Sequence, residues 1–168
     1  MTPSRRARAR FLIFFLLLLV AVQVALLVPV IDERVIKPFT AGIASVSGVI
    51  LNTLGQTVTV DRTVIAGTCF AVDLKNGCNA VEATAFLLAG VVAFPAAMKS
   101  KAIGLLAGAA LLQMVNLIRV NSLYLLGCYR RDWFDAFHLA IWQSVIFAIA
   151  IGFFVVWTRR VSGPRHAA

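Results

Sequence analysis

Long apolar runs constrain this chain more than any other feature of its sequence. Four runs approach the roughly 20 residues that a helix needs to cross a bilayer, and they cover residues 11–28, 79–97, 102–126 and 138–157. Hydrophobic residues make up 61% of the 168 residues, which is too apolar for a soluble domain of this length. We therefore predict an all-α integral membrane protein, with four transmembrane helices in a single membrane domain that covers residues 1–168.

Basic clusters predict the orientation of these helices. "RRARAR" precedes the first run, "KSK" separates the second and third runs, and "RRVSGPR" follows the fourth. Because Lys and Arg concentrate in cytoplasmic segments, both termini are predicted to be cytoplasmic, with basic tails at 1–10 and 158–168. Arg130 and Arg131 fall in a predicted outside loop and violate this rule. The net charge of +9 is therefore interpreted as serving membrane orientation and the binding of anionic lipid, not the binding of nucleic acid.

The first apolar run is predicted to stay in the protein as an anchor. At about 18 residues it is longer than the apolar region of a signal peptide. The segment 29–77 then lies outside and contains "KPFTAGIASVSGVILNTLG". Its apolar residues at helical spacing predict a short amphipathic helix that lies against the membrane; they are Ile43, Val46, Ile50 and Leu54.

The rest of the outside segment, "QTVTVDRTVIAGTCFAVDLKNG", alternates polar and β-branched residues. This pattern predicts a β-hairpin with strands at 57–61 and 68–74 and turn signals at 66–67. The extracytoplasmic insertion between the first and second membrane helices is thus a helix plus a β-hairpin. Its second strand leads to Cys78, which is predicted to open the second membrane helix.

Three polar residues are predicted to converge at the outer side. Arg119 lies inside the third run, on the order of 10 Å below its outer end, and a charge inside a spanning segment is a functional candidate by default. His138 opens the fourth run, and Cys78 opens the second. The predicted topology places Cys78, Arg119 and His138 at comparable depth on three different helices.

These residue types suit acyl transfer by a cysteine nucleophile. A cysteine at a helix N-terminus is favoured as the thiolate, and His138 would act as base toward the thiol and as acid toward a leaving amine. Arg119 keeps its proton, so it would hold the substrate carbonyl or stabilise an oxyanion. The predicted substrate is a peptide bond close to the end of another transmembrane helix. No metal or cofactor is expected.

Each residue also has a structural interpretation. Cys78 is a small packing residue, His138 an interfacial residue, and Arg119 the ion-pair partner of Glu82. Glu82 lies four residues after Cys78 on the same helix face, where it would orient Arg119 or His138 or only neutralise them. Asn116, one turn before Arg119, would hydrogen-bond to it or to the substrate.

Two further cysteines, Cys69 and Cys128, are predicted outside, where an oxidising compartment allows a disulfide between them that leaves Cys78 free. Two unlinked cysteines are the favoured interpretation. A bond between Cys69 and Cys78 would abolish the nucleophile.

The order of these motifs resembles the exosortase/archaeosortase family of membrane-embedded cysteine transpeptidase-like proteins. "GCNAVEA" is followed by "NLIR", and a histidine opens the last helix. The upstream stretches "FTAGIASVSGVILNTLGQTVTV" and "CFAVDLKNG" are also similar, so the resemblance covers about residues 36–157. It implies that Cys78 is the nucleophile, Arg119 the cation that binds substrate or transition state, and His138 the proton-transfer residue.

The resemblance also implies an activity and a location. Family members are thought to process a C-terminal sorting signal, which consists of a short motif, a transmembrane helix and a basic tail. Cleavage would proceed through a thioester on Cys78, with transfer of the exported protein to another acceptor. The implied location is the bacterial inner membrane, with the site facing the periplasm. The implied partners are exported substrate proteins and membrane lipid.

This chain departs from the larger family members. It has four predicted spans where they commonly have more, and "GCNAVEA" replaces their usual Cys-Ser-Gly-type neighbourhood. It is similar in this to the short subtype called exosortase H, whose targets carry an IPTL-type signal.

Two other functions remain open at the level of sequence. A thiol–disulfide membrane oxidoreductase generally needs a close cysteine pair, and the chain has no C-x-x-C motif. In a non-catalytic assembly or structural protein, the three polar residues would serve helix packing.

Overall fold

The computed structural model describes residues 5–162, which form helices and one small sheet. The predicted basic tails, 1–10 and 158–168, extend past this region at both ends. Their residues 1–4 and 163–168 lie outside the described part of the chain.

Five helical segments make up most of the fold. They are α1 (Arg5–Leu26), α2 (Pro29–Thr53), α3 (Val81–Ala93), α4 (Met98–Tyr129) and α5 (Arg131–Val161). Proline begins α2, where its fixed φ suits the first helical position. Both α2 and α5 contain a π-helical turn, at Asp32–Ile36 and Phe137–Ile141 respectively. In α5 a 3-10 turn and one α-helical turn precede the π turn, and Trp142–Val161 is regular α-helix.

Four of these helices are long and apolar enough to cross a membrane. The candidate stretches are Ala9–Leu26, Pro29–Thr53, Met98–Tyr129 and Arg131–Val161. Three of them overlap the predicted spans 11–28, 102–126 and 138–157. The fourth is α2, which the sequence pattern predicted as a short helix on the membrane surface.

The predicted span 79–97 is wrong in its extent, because α3 has only 13 residues and is about 20 Å long. Pro95 disfavours helical conformation at the residue before it, and Phe94 is accordingly extended, with ψ at 134°. At the other end Ala80 has a left-handed backbone, with φ at 55°. The residues before Ala80 therefore form a loop instead of a helical turn.

The sheet has three antiparallel strands in the order β1 (Val58–Asp61), β2 (Val64–Gly67) and β3 (Ala71–Asp73). The predicted two-stranded hairpin is therefore wrong, since positions 66–67 lie inside β2 and not in a turn. The first turn is at Arg62, whose φ is +53°. A non-glycine residue rarely adopts that conformation, so the sequence carried no turn signal there.

Two apolar cores divide the molecule. The bundle core joins α3, the first half of α4, and α5; it contains Leu87, Val91, Leu112 and Ile146. The sheet core joins α2, the sheet and the second half of α4; it contains Leu51, Ile65 and Tyr124. With 32 residues, α4 is about 48 Å long and is part of both. The packing of α1 against α3 includes the rings of Phe15 and Phe86.

The buried face of α2 differs from the predicted one. It consists of Thr40, Ile43, Ala44, Ser47, Gly48 and Leu51, whereas Val46 and Leu54 are largely exposed. Small residues on this face allow β1 to approach closely, because a Cβ at Gly48 would collide with the side chain of Val60.

Candidate active site

Cys78 lies in the loop between β3 and α3. Its backbone N–H donates to the carbonyl of Lys75 at 2.9 Å. Gly77 precedes it with φ at +89°, a conformation that favours glycine. The prediction that Cys78 opens a helix is wrong, since α3 begins at Val81. The thiol therefore does not occupy the first turn of α3, where the helix dipole would favour its ionisation.

The surroundings of Cys78 favour the neutral thiol. Burial raises the pKa of Cys78, and the positive charge of Arg119 opposes that rise. The nearby carboxylates of Glu82 and Asp73 raise the pKa of Cys78 further. A nucleophilic role for Cys78 consequently needs a base that removes its proton.

The imidazole of His138 lies beside this thiol. Its Nδ1 lies 4.0 Å from the Sγ of Cys78, and it sits in the π-helical turn of α5. Single π turns interrupt α-helices frequently at functional sites. The ring of Phe134 stacks on the imidazole, with centroids 5.5 Å apart and planes inclined by 17°. This contact fixes the plane of the imidazole next to the thiol.

Arg119 links the two segments that carry Cys78 and His138. Only 2% of its surface is exposed. Its guanidinium donates to the carbonyl of Gly77 at 3.1 Å and to that of His138 at 3.4 Å. A third hydrogen bond reaches the side-chain oxygen of Gln143 at 3.4 Å. The Nε of Arg119 has no partner among the described residues.

The structure therefore brings Cys78, Arg119 and His138 together, from a loop and two helices where three helices were predicted. A fourth member of the cluster, Gln143, is absent from the sequence-based set. Its signal was a polar amide in the apolar stretch "LAIWQSVIF", where polar groups are costly unless they are bonded.

Glu82 does not pair with Arg119. No salt bridge between described side chains includes Glu82, so the structural interpretation that paired it with Arg119 is wrong. Instead, Glu82 lines a separate cavity of about 170 Å³ with Gln23 and Leu26 of α1 and with Asn76. The charge of Glu82 raises the pKa of Cys78 without a hydrogen bond between the two side chains.

Asn116 is fully buried, and neither polar atom of its side chain has a partner in the described region. The hydrogen bond expected between Asn116 and Arg119 is not formed. One turn earlier on α4, Gln113 donates to the carbonyl of Asn79 at 3.5 Å, while Arg119 donates to that of Gly77. These two carbonyls flank Cys78. Asn116 stands between the two donors on the same helix face, and thus level with Cys78.

A disulfide joins Cys69 and Cys128, whose Cα atoms are 5.2 Å apart. The favoured expectation of two unlinked cysteines is therefore wrong, and Cys78 is the free cysteine. The disulfide ties the chain before β3 to the end of α4. Beside it, the ring of Phe70 packs 5.1 Å from that of Phe134, the residue that stacks on His138.

Comparison of the chain with protein-family models, with curated proteins and with solved structures gives no match. A function is therefore inferred from the geometry of these side chains and from the resemblance in their order along the sequence.

Proposed function

We propose that this chain is a membrane-embedded cysteine peptidase or transpeptidase, similar to exosortases, that cleaves a C-terminal sorting signal from exported proteins. The observation that carries the proposal is the 4.0 Å approach of His138 Nδ1 to Cys78 Sγ. Arg119 supports it, because its guanidinium bonds to the backbone at His138 and beside Cys78. A nucleophile, a base that activates it and a fixed donor to the developing oxyanion are the groups that cysteine acyl transfer uses, and a guanidinium can be that donor.

The reaction begins when His138 Nδ1 takes the proton of the Cys78 thiol. Catalytic hydrogen bonds commonly tighten only in the substrate complex, so a 4.0 Å separation in the free protein suits this step. The sulfur then attacks the scissile carbonyl carbon, and negative charge develops on the carbonyl oxygen. The guanidinium of Arg119, which bonds beside Cys78, and the unpartnered amide of Asn116, which lies one turn before Arg119 on α4, are the candidate donors for that oxygen.

Collapse of this intermediate breaks the C–N bond, and His138 returns its proton to the leaving amine. The substrate remains as a thioester on Cys78. An acceptor, either water or an amine, next loses a proton to His138 and attacks the thioester carbonyl. The C–S bond breaks, and Cys78 recovers its proton.

The two cores suggest how the chain sits in a bilayer. The hydrocarbon layer is about 30 Å thick, which is less than the length of α4. The bundle core then lies in the membrane, and the sheet core projects from its outer side, with α2 covered by the sheet and α4. The active site lies at the junction of the two. A transmembrane helix of a substrate would leave the bilayer at the same level.

The direct test is co-expression with exported proteins from the same genome that end in a short motif, an apolar helix and a basic tail. Their processing is measured as a decrease in mass. We expect Cys78→Ala and His138→Ala to abolish processing, while Ser144→Ala, an exposed change in the same helix, leaves it intact. Normal processing by Cys78→Ala would refute the proposal.

A second measurement tests the covalent step. The intact mass of the enzyme, quenched with acid during turnover, should reveal an acyl group on Cys78. Continued processing by a Cys69→Ser, Cys128→Ser double variant would separate this chemistry from thiol–disulfide exchange, which needs a second sulfur.

A further inference from the structure

β3 is an edge strand with unused main-chain groups. Gly67 N–H donates to the carbonyl of Phe70, and Leu74 N–H donates to that of Thr63, both at 2.9 Å. In an antiparallel strand, successive residues direct their N–H and C=O groups toward opposite edges of the strand. Ala71 and Asp73 therefore direct their N–H and C=O groups away from β2. Neither residue has a backbone hydrogen bond to another element in the described chain, and both are exposed.

The opposite edge of the sheet is covered in part by α2. The side chain of Asn52 accepts from Val58 N–H at 2.9 Å and donates to the Val58 carbonyl at 3.2 Å. This amide takes the place of a neighbouring strand at Val58. Proteins commonly protect edge strands in such ways, and no comparable bond to Ala71 or Asp73 main chain is present in the described residues.

The open edge runs from one part of the candidate site to another. Phe70, just before β3, contacts Phe134, which stacks on His138. Cys78 follows the end of β3 by five residues, and the carboxylate of Asp73 is close enough to raise the pKa of its thiol. A groove of about 740 Å³ lies beside the end of the strand, lined by Leu74, Lys75 and Asn76 and by the N-terminal part of α2.

We propose that β3 binds the extended segment of the substrate next to the scissile bond by strand addition. Ala71 and Asp73 would supply the main-chain hydrogen bonds, and the groove would receive alternate side chains. This mode of binding requires a peptide without helical structure, which is the form a short motif takes ahead of a membrane helix. The inference rests on the proposed function only for the identity of the substrate.

The test compares Ala71→Pro with Ala71→Val. Proline removes the outward N–H of position 71 without removing a bond to β2, whereas valine keeps that N–H. We expect Ala71→Pro to lower the processing rate about tenfold and Ala71→Val to change it little. Formation of the Cys69–Cys128 disulfide serves as the folding control. Equal rates for the two folded variants would overturn the proposal.

A second measurement leaves the fold of the enzyme unchanged and does not need turnover. In the Cys78→Ala protein, a photo-crosslinking amino acid replaces Asp73, and the probe is the eight-residue segment that precedes the C-terminal helix of the co-expressed substrate. The probe is N-methylated at one position at a time. Capture should fall for methylation at every second residue, because only alternate N–H groups of the bound probe face β3. A uniform response along the probe would overturn strand addition.

The two proposals fail separately. If the wild type processes its partner but the probe is not captured through position 73, strand addition is wrong and the enzymatic proposal stands. If the probe is captured with the period of two but the wild type never processes its partner, the edge binds peptide and the enzymatic proposal is wrong.

Discussion

At the residue scale, the charge of Arg119 acts on the thiol of Cys78. Because burial raises the pKa of Cys78 and the charge of Arg119 lowers it, Arg119→Gln should raise the pKa of this thiol further. We expect the pH midpoint of iodoacetamide alkylation to move up, so that alkylation at pH 8 becomes about threefold slower. Mass spectrometry of the alkylated protein gives the profile, since Cys69 and Cys128 are bonded to each other.

The matched control for this experiment is Gln143→Leu, which removes a partner of Arg119 but no charge. Its midpoint should stay close to that of the wild type. A midpoint that does not move in Arg119→Gln would show that the guanidinium does not act on the thiol.

A substitution at Asn116 should affect stability and processing rate in different ways. A buried amide without partners costs about 1–3 kcal/mol, so Asn116→Leu should leave the free energy of unfolding unchanged or raise it. If the amide instead donates to the developing oxyanion, the same variant should process substrate about 10²-fold more slowly. Thermal unfolding in detergent and the processing rate measure the two effects. A variant that is both stable and fully active would exclude Asn116 from the reaction.

The convergence of Cys78, Arg119 and His138 could be predicted because it needs only the ends of helices and the direction of each span. The hydrogen-bond and ion-pair partners of each side chain could not be predicted. They depend on how α4 and α5 are rotated about their axes, which the apolar sequence around Arg119 does not specify. For this reason Gln143 was missed. The rotation of α3 was equally unspecified, so one interpretation paired Glu82 with Arg119, whereas Glu82 faces α1.

At the scale of elements, the loop that carries Cys78 is held by the disulfide before β3 and by Arg119 after it. The Cys69–Cys128 bond closes a loop of 59 residues, and its loss should cost about 2–4 kcal/mol of unfolding free energy. We expect Cys69→Ala with Cys128→Ala to lower the melting temperature measured in detergent, and a reducing agent to do the same to the wild type. Cys78→Ala should have little effect on it.

If the disulfide also positions Phe70 against Phe134, its loss should slow processing more than it lowers stability at the assay temperature. A variant that melts earlier but processes at the normal rate would limit the disulfide to stability.

Helix and strand types were largely predictable from periodicity, whereas three boundaries were missed. Arg62 forms a turn without glycine, so β2 was not predicted and its residues 66–67 were assigned to a turn. Pro95 did carry a signal for the end of α3 at Phe94, but the apolar composition of 79–97 outweighed it. The left-handed Ala80 carried no signal at all, because alanine is common within helices.

At the scale of the whole molecule, the number of crossings before the sheet decides which side of the membrane the active site faces. If α1 crosses and α2 stays outside, the sheet and Cys78 lie outside. If α2 also crosses, they lie in the cytoplasm with the N-terminus. Both helices are long and apolar enough, so hydropathy does not distinguish the two arrangements. The packing of α2 on the sheet and on the second half of α4 favours the first.

A single cysteine at the β1–β2 turn decides between these arrangements. Asp61 is exposed, and Asp61→Cys in a Cys78→Ala background leaves one free thiol beside the native disulfide. We expect a membrane-impermeant maleimide to label it in intact spheroplasts. Lys99→Cys in the same background, an exposed position in the first turn of α4, is the matched control and should react only after permeabilisation. The reverse pattern would place the sheet and Cys78 in the cytoplasm, where Cys78 would not meet the exported part of a substrate.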